Sequence, residues 1–161
     1  MRIWIDADAA PRAAREVVYR AAQRLEIDAF VVSNQYLSVP PGYGTVVTVQ
    51  VDGGTTQADS HIVAHASADD LVVTHSVALA SRLLPRGVVV LDARGSELTR
   101  ESVGEHLSIQ DYIESQRAPT GNAHGPPPFD DGAKRDFAAG LDRILTRMYR
   151  QGENGDDTRP N

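Results

Sequence analysis

The sequence predicts an α/β protein of three layers, α/β/α, with helices on both faces of a central, mostly parallel sheet. Three observations carry this. The runs Ile3 to Ile5, Ala29 to Val32, Leu71 to Thr74 and Gly87 to Leu91 are apolar without alternating with polar residues, the pattern of strands covered on both faces. Between them lie segments whose apolar residues recur at three- and four-residue steps, as in helices with one buried face. The first run then stops at Asp6-Ala7-Asp8, and in open α/β sheets ligands bind beyond the carboxyl ends of the strands.

Met1 to Asp6 is the predicted first strand, and Pro11 opens a helix, a position where its missing N–H costs least. Across 11–25, Ala14, Val17, Val18, Ala21, Ala22 and Leu25 form one apolar face. Ala29 to Val32 is a second strand. A loop follows, marked by Asn34, Pro40, Pro41, Gly42 and Gly44, before the β-branched strand Thr45 to Val51. Asp52-Gly53-Gly54 breaks that strand, and Thr55 to Ala66 reads as a helix with Thr56 as N-cap and Asp59 three residues on, in the manner of a capping box. Leu71 to Thr74 is a strand, Val77 to Leu84 a short helix ended by Pro85, and Gly87 to Leu91 a strand stopping at Asp92.

An acid-rich amphipathic helix is expected from Thr99 to about Gln116. The Pro- and Gly-rich residues 118–132 are expected to form an irregular strap that carries a last helix, 133–149, across the sheet. Phe137, Leu141, Ile144, Leu145 and Met148 fall on one face of that helix. Residues 1–150 thus read as one domain and 151–161 as a polar, disordered tail.

The net charge of -6 argues against broad attraction to nucleic acid, which leans on clustered cations. Lys134 is the lone lysine among 16 cationic residues, so phosphate contacts would be forked arginine ones. No apolar run approaches the ~18 residues of a membrane span. With no cysteine and no secretory leader pattern, the expected compartment is the cytoplasm.

Strand alternation brings Asp6 to the end of the first strand and Asp8 into the loop beyond it, where both can face one crevice. A helix cap would use one acid but not both. Asp59 lies within the arc of Ala58, Ile62, Val63 and Ala66, so a carboxylate points inward from the first turn of a helix whose buried face is otherwise apolar. Three converging carboxylates need neutralising, and a hard divalent ion, Mg²⁺ or Mn²⁺, does this through oxygen ligands and water. Such an ion orients a phosphate and activates water, the chemistry of phosphodiester cleavage. Asp92 is a candidate fourth acid and Arg94 a candidate phosphate fork, although Asp92-Ala93-Arg94-Gly95 also reads as a polar turn.

His61 and His65, four apart without a third ligand, read as surface residues, and His75 as a loop residue near the crevice. The chain has no GxSxG, GxGxxG or P-loop, so serine hydrolase and nucleotide-fold readings fall away.

The opening run 3–11, Ala58 with Asp59, Asp70 to Thr74, Leu79 with Ala80, Arg94 with Gly95, Gly125 to Phe129, Arg135 to Ala138 and Leu141 to Arg143 together resemble the YaiI/YqxD family of bacterial proteins, over about residues 2–145. The resemblance implies a fold similar to PIN-like domains, many of which are Mg²⁺- or Mn²⁺-dependent ribonucleases. The family pattern has Cys where this chain has Ala10, and Asp where it has Thr56 and Ser76. Asp6, Asp8 and Asp59 carry over, which implies one ion completed by the substrate's phosphates in place of a two-metal centre.

The expectation is therefore a metal-dependent nuclease or phosphodiesterase acting on RNA. Asp6, Asp8 and Asp59 would hold the ion, with Arg94, Arg135, Thr74 and Ser76 toward substrate. One alternative is a catalytically impaired module that binds RNA or a protein. Another is a haloacid-dehalogenase-like phosphatase using Asp6 and Asp8, with Thr74 as its strand-end hydroxyl. Self-association is left open.

Overall fold

A computed structural model describes residues 1–105 and 129–156. Its strands are β1 (Ile3–Asp6), β2 (Ala29–Ser33), β3 (Val46–Gln50), β4 (Leu71–Val73), β5 (Val89–Leu91) and β6 (Glu97–Leu98). The helices are α1 (Arg12–Leu25), α2 (Thr55–His65), α3 (Val77–Leu83) and α4 (Asp131–Asp156), with a 3₁₀ turn at Leu84–Arg86. Residues 100–105 are also helical and lead into the undescribed range. There lie the rest of the helix expected to reach Gln116 and most of the strap.

The strand order is β3-β2-β1-β4-β5-β6. All neighbours are parallel except β6, which returns antiparallel to β5. The expected three-layer α/β/α arrangement with a mostly parallel sheet is what the chain adopts. Alternate strand residues divide the core in two. Ile3, Ile5, Val31, Val73 and Leu91 pack with Ala14, Val18, Ala22, Phe137, Leu141 and Leu145 of α1 and α4. Trp4, Val32, Val72 and Val90 pack with Ala58, Ile62, Leu79, Ala80 and Leu83 of α2 and α3.

Four expectations need correction. The capping box is absent: Gly53 turns with φ +100°, Gly54 takes the N-cap position, and Thr56 is an exposed residue already inside the helix. Pro11 is itself the N-cap of α1, one position earlier than expected. The last helix begins at Asp131 and continues to Asp156, so 151–156 are not tail. Once Phe137 to Leu145 seat the helix, each further polar residue needs only propagation, which is cheap compared with nucleation. Finally, β6 was not anticipated, because a two-residue strand carries no periodic signal.

Candidate functional site

The strand order reverses between β1 and β4, since β2 and β3 extend the sheet to one side of β1 and β4 to β6 to the other. Asp6 ends β1 and Thr74 follows β4, so the two stand on either side of this switch point, where open α/β sheets bind ligands. Thr74 Oγ1 donates to Asp6 Oδ2 at 3.0 Å, and the Ser76 N–H donates into the same hydroxyl oxygen at 3.0 Å. Its lone pair occupied, the hydroxyl directs its proton at the carboxylate.

The other flank of β1 repeats the device. Ser33, which ends β2, donates from Oγ to Asp8 Oδ1 at 3.0 Å and accepts the Gln35 N–H at 3.0 Å. Asp8 Oδ2 accepts the Asn34 N–H at 3.2 Å. Each carboxylate is thus held by a hydroxyl at the end of a neighbouring strand.

Burial pushes the Asp6 carboxyl up to about 6. The Thr74 hydrogen bond opposes this, while the negative charges of Asp59 and Asp8 add to it. Asp59 is likewise raised, first by burial and then by the charge of Asp8, with the Arg82 guanidinium pulling the other way. Asp59 therefore lies within electrostatic reach of Asp6 and Asp8, and the Arg82 guanidinium of α3 acts on it in turn.

Asp70 shows what a structural aspartate looks like in the same sheet. It is as hidden as Asp6, yet its pKa is lowered, because Ser67 N–H, Trp4 Nε1, Arg2 N–H and the Arg2 guanidinium all donate to it and outweigh burial. Among the described residues no cation acts on Asp6, and two acids do. Burial combined with like charge is one of the arrangements by which functional sites shift carboxyl pKa values.

The remaining predicted residues are distributed differently. Ser76 Oγ caps α3 by accepting the Leu79 N–H at 3.2 Å. Asp92 accepts the Arg94 N–H at 2.9 Å in its own turn and lies 3.7 Å from His75 Nδ1. Arg94 is exposed on that turn. Arg135 lines a groove of about 550 Å³ between α1 and α4, together with Arg20, Arg24 and Lys134. His61 and His65 stack on each other at 4.1 Å and lie beside Trp4. Among the described residues no three His, Cys, Asp or Glu side chains already form a direct cage for one ion.

The family model described as "Uncharacterized BCR, YaiI/YqxD family" matches residues 4–147. The chain belongs to the YaiI/YqxD family. Relatives include UPF0178 proteins of Trichlorobacter lovleyi, 41% identical across 94% of this chain and 97% of the relative, and of Myxococcus xanthus, 41% identical across 93% and 97%. Another, from Geobacter sulfurreducens, is 42% identical across 94% of this chain and all of its own length. No solved structure matches. Among the described residues of this YaiI/YqxD protein no helix is long and apolar enough to cross a membrane.

Sequence reasoning missed Ser33 and Arg82. Position at a strand end was the available signal for Ser33, the same that singled out Thr74. Arg82 had none, because its link to Asp59 spans two helices.

Proposed function

We propose that this YaiI/YqxD protein is a metal-dependent phosphodiesterase acting on RNA, a PIN-like nuclease built around one ion. The observation that carries this is the placement of Asp6 and Asp8 at the switch point, each held by a hydroxyl of a neighbouring strand, with burial and the charges of Asp8 and Asp59 pushing Asp6 up to about 6. The donor set suits a hard cation, being all carboxylate and hydroxyl oxygen. Mg²⁺ commonly keeps several waters and takes only one or two carboxylates directly, so a preformed three-ligand cage is not required. Asp6, Asp8 and Asp59 would hold the ion. Bound there, a divalent ion supplies charge for a phosphate and a more acidic water.

The protein's own groups do the positioning. Thr74 and Ser33 fix the orientation of Asp6 and Asp8, so the crevice presents oxygens without rearrangement. Arg82 limits the repulsion at Asp59. The cations Arg20, Arg24, Lys134 and Arg135 of the α1–α4 groove offer backbone contacts on an otherwise acidic chain.

Incubation of labelled single-stranded RNA with the protein and Mn²⁺ tests this reading. The expected result is cleavage that is abolished by EDTA and by Asp6→Asn. Metal-dependent cleavage that persists in Asp6→Asn would contradict it. A second reading, a binding module without turnover, is favoured by the uncharged residues where the resemblance implies acids: Thr56 is exposed and Ser76 serves as a helix cap. RNA binding without cleavage at saturating Mn²⁺ would select it. Nothing favours a haloacid-dehalogenase-like phosphatase, since Thr74 commits its proton to Asp6 and the lone lysine, Lys134, lines the α1–α4 groove.

A further inference from the structure

The two edges of the sheet are managed in opposite ways. β6 is two residues long, and Arg147 grips its Glu97 through two hydrogen bonds of 2.8 and 2.9 Å. Short length and charge are the usual guards against edge pairing. At the other edge β3, Val46-Val47-Thr48-Val49-Gln50, has five residues and no charge, no proline and no bulge in its register with β2. Val47 is 49% exposed.

The direction of its backbone groups follows from the ladder. The Ala29 N–H donates to the Thr45 carbonyl, the Val51 N–H donates to the Ser33 carbonyl, and Val31 registers with Thr48. This parity turns the peptide groups of Val47 and Val49 toward β2 and those of Val46, Thr48 and Gln50 outward. The Val46 N–H is taken by the Tyr43 carbonyl. Among the described residues the Val46 carbonyl and both peptide groups of Thr48 and Gln50 have no partner.

We propose that β3 pairs with β3 of a second copy of this chain, antiparallel and centred on Thr48, so that the sheet continues across a two-fold axis. A two-fold contact requires a surface that is its own complement, and this strand is one. Thr48 meets Thr48 and exchanges both hydrogen bonds, while each Gln50 N–H reaches the opposing Val46 carbonyl. Val47 faces Val49 of the other copy and loses its exposed surface. Centring on Thr48 overlaps the whole strand and keeps Asp52 beyond the end of the ladder. Cross-strand β-branched pairs of this kind stabilise sheets. The axis leaves the two acidic crevices at opposite ends of the joined sheet, so the pairing stands independently of the proposed chemistry.

Light scattering after size exclusion gives the first reading: a mass twice the 17.4 kDa of one chain is expected, and a monomer at every loading would overturn the proposal. Thr48→Pro removes one outward N–H and leaves the β2 ladder intact, a substitution edge strands tolerate. It should yield a folded monomer, and a persisting dimer would overturn the pairing. Because the chain has no cysteine, single variants report the register even if Thr48→Pro does not fold. Thr48→Cys places two thiols across a pair about 5.5 Å apart at Cα, within disulfide reach, and should crosslink on oxidation. Gln50→Cys, opposite Val46 rather than itself, should not. Crosslinking of Gln50→Cys without Thr48→Cys would reject this register.

Discussion

Thr74 and Asp6 are joined by a hydrogen bond of 3.0 Å across the point where the strand order reverses, and Thr74 receives the Ser76 N–H in return. Thr74 acts here as a positioning residue. Thr74→Val removes the donor that holds the Asp6 pKa down and leaves the Ser76 N–H without its acceptor. We expect Asp6 to titrate above its present value of about 6 in carboxyl NMR. The fold should lose about 1–3 kcal/mol from the unsatisfied groups. Thr74→Ser should restore both. An Asp6 titration unmoved by Thr74→Val would show that the hydroxyl has no hold on the carboxylate.

Asp6 and Asp70 are 2% and 1% exposed, yet their pKa values move in opposite directions, so they act on stability in different windows. The raised Asp6 favours the protonated form more in the folded than in the unfolded chain. Its contribution is full below the ordinary value of 3.8 and is lost as pH rises through about 6. The size is on the order of 3 kcal/mol. The lowered Asp70 does the reverse: its contribution is present above 3.8 and is lost as pH falls through its folded value. Asp6→Asn keeps an oxygen for Thr74 and should therefore stabilise the protein above pH 6 with little change near 3.8. Urea unfolding across that range reads the effect, and parallel curves for the two proteins would contradict it.

Gly95 and Gly140 bring the β5–β6 turn against α4. Gly95 has φ +87°, and a Cβ at Gly140 would overlap its backbone. In an open helix Gly→Ala adds about 1 kcal/mol through propensity. Here the sign reverses, and Gly140→Ala should lower stability by about 1–3 kcal/mol through overpacking. Gly104, whose Cβ position meets nothing among the described residues, is a control. A thermal melt of Gly140→Ala at or above wild type would show that the turn yields.

Much of the architecture was legible because each strand is a short apolar run and each helix has a clear apolar face. The helical period put Asp59 beside the apolar arc of α2, where the residue is half-buried, although for a helix whose cap was placed two residues late. Gly53 set that boundary through a backbone conformation that periodicity does not report. Asp6 and Asp8 were legible from their position after β1. Their holders were harder, because Ser33 lies 25 residues from Asp8 and Thr74 lies 68 from Asp6, pairings that exist only in the assembled sheet. Asp70 went unrecognised as a structural acid for the same reason, since its donors Arg2 and Trp4 lie 68 and 66 residues away in the chain and meet it only when β1 pairs with β4. The arginine groove was legible only as Arg135, since the helical pattern did not show that α1 and α4 would lie side by side.

The central claim is that Asp6, Asp8 and Asp59 form one electrostatic site suited to a divalent ion. Thermal unfolding above pH 6 with and without Mn²⁺ tests it directly and needs no substrate. Wild type should gain stability with Mn²⁺, by about 1.4 kcal/mol at ten times the dissociation constant, and Asp6→Asn and Asp59→Asn should each lose most of that gain. A gain equal in wild type and Asp6→Asn, or none in wild type at any Mn²⁺ concentration, would contradict the account.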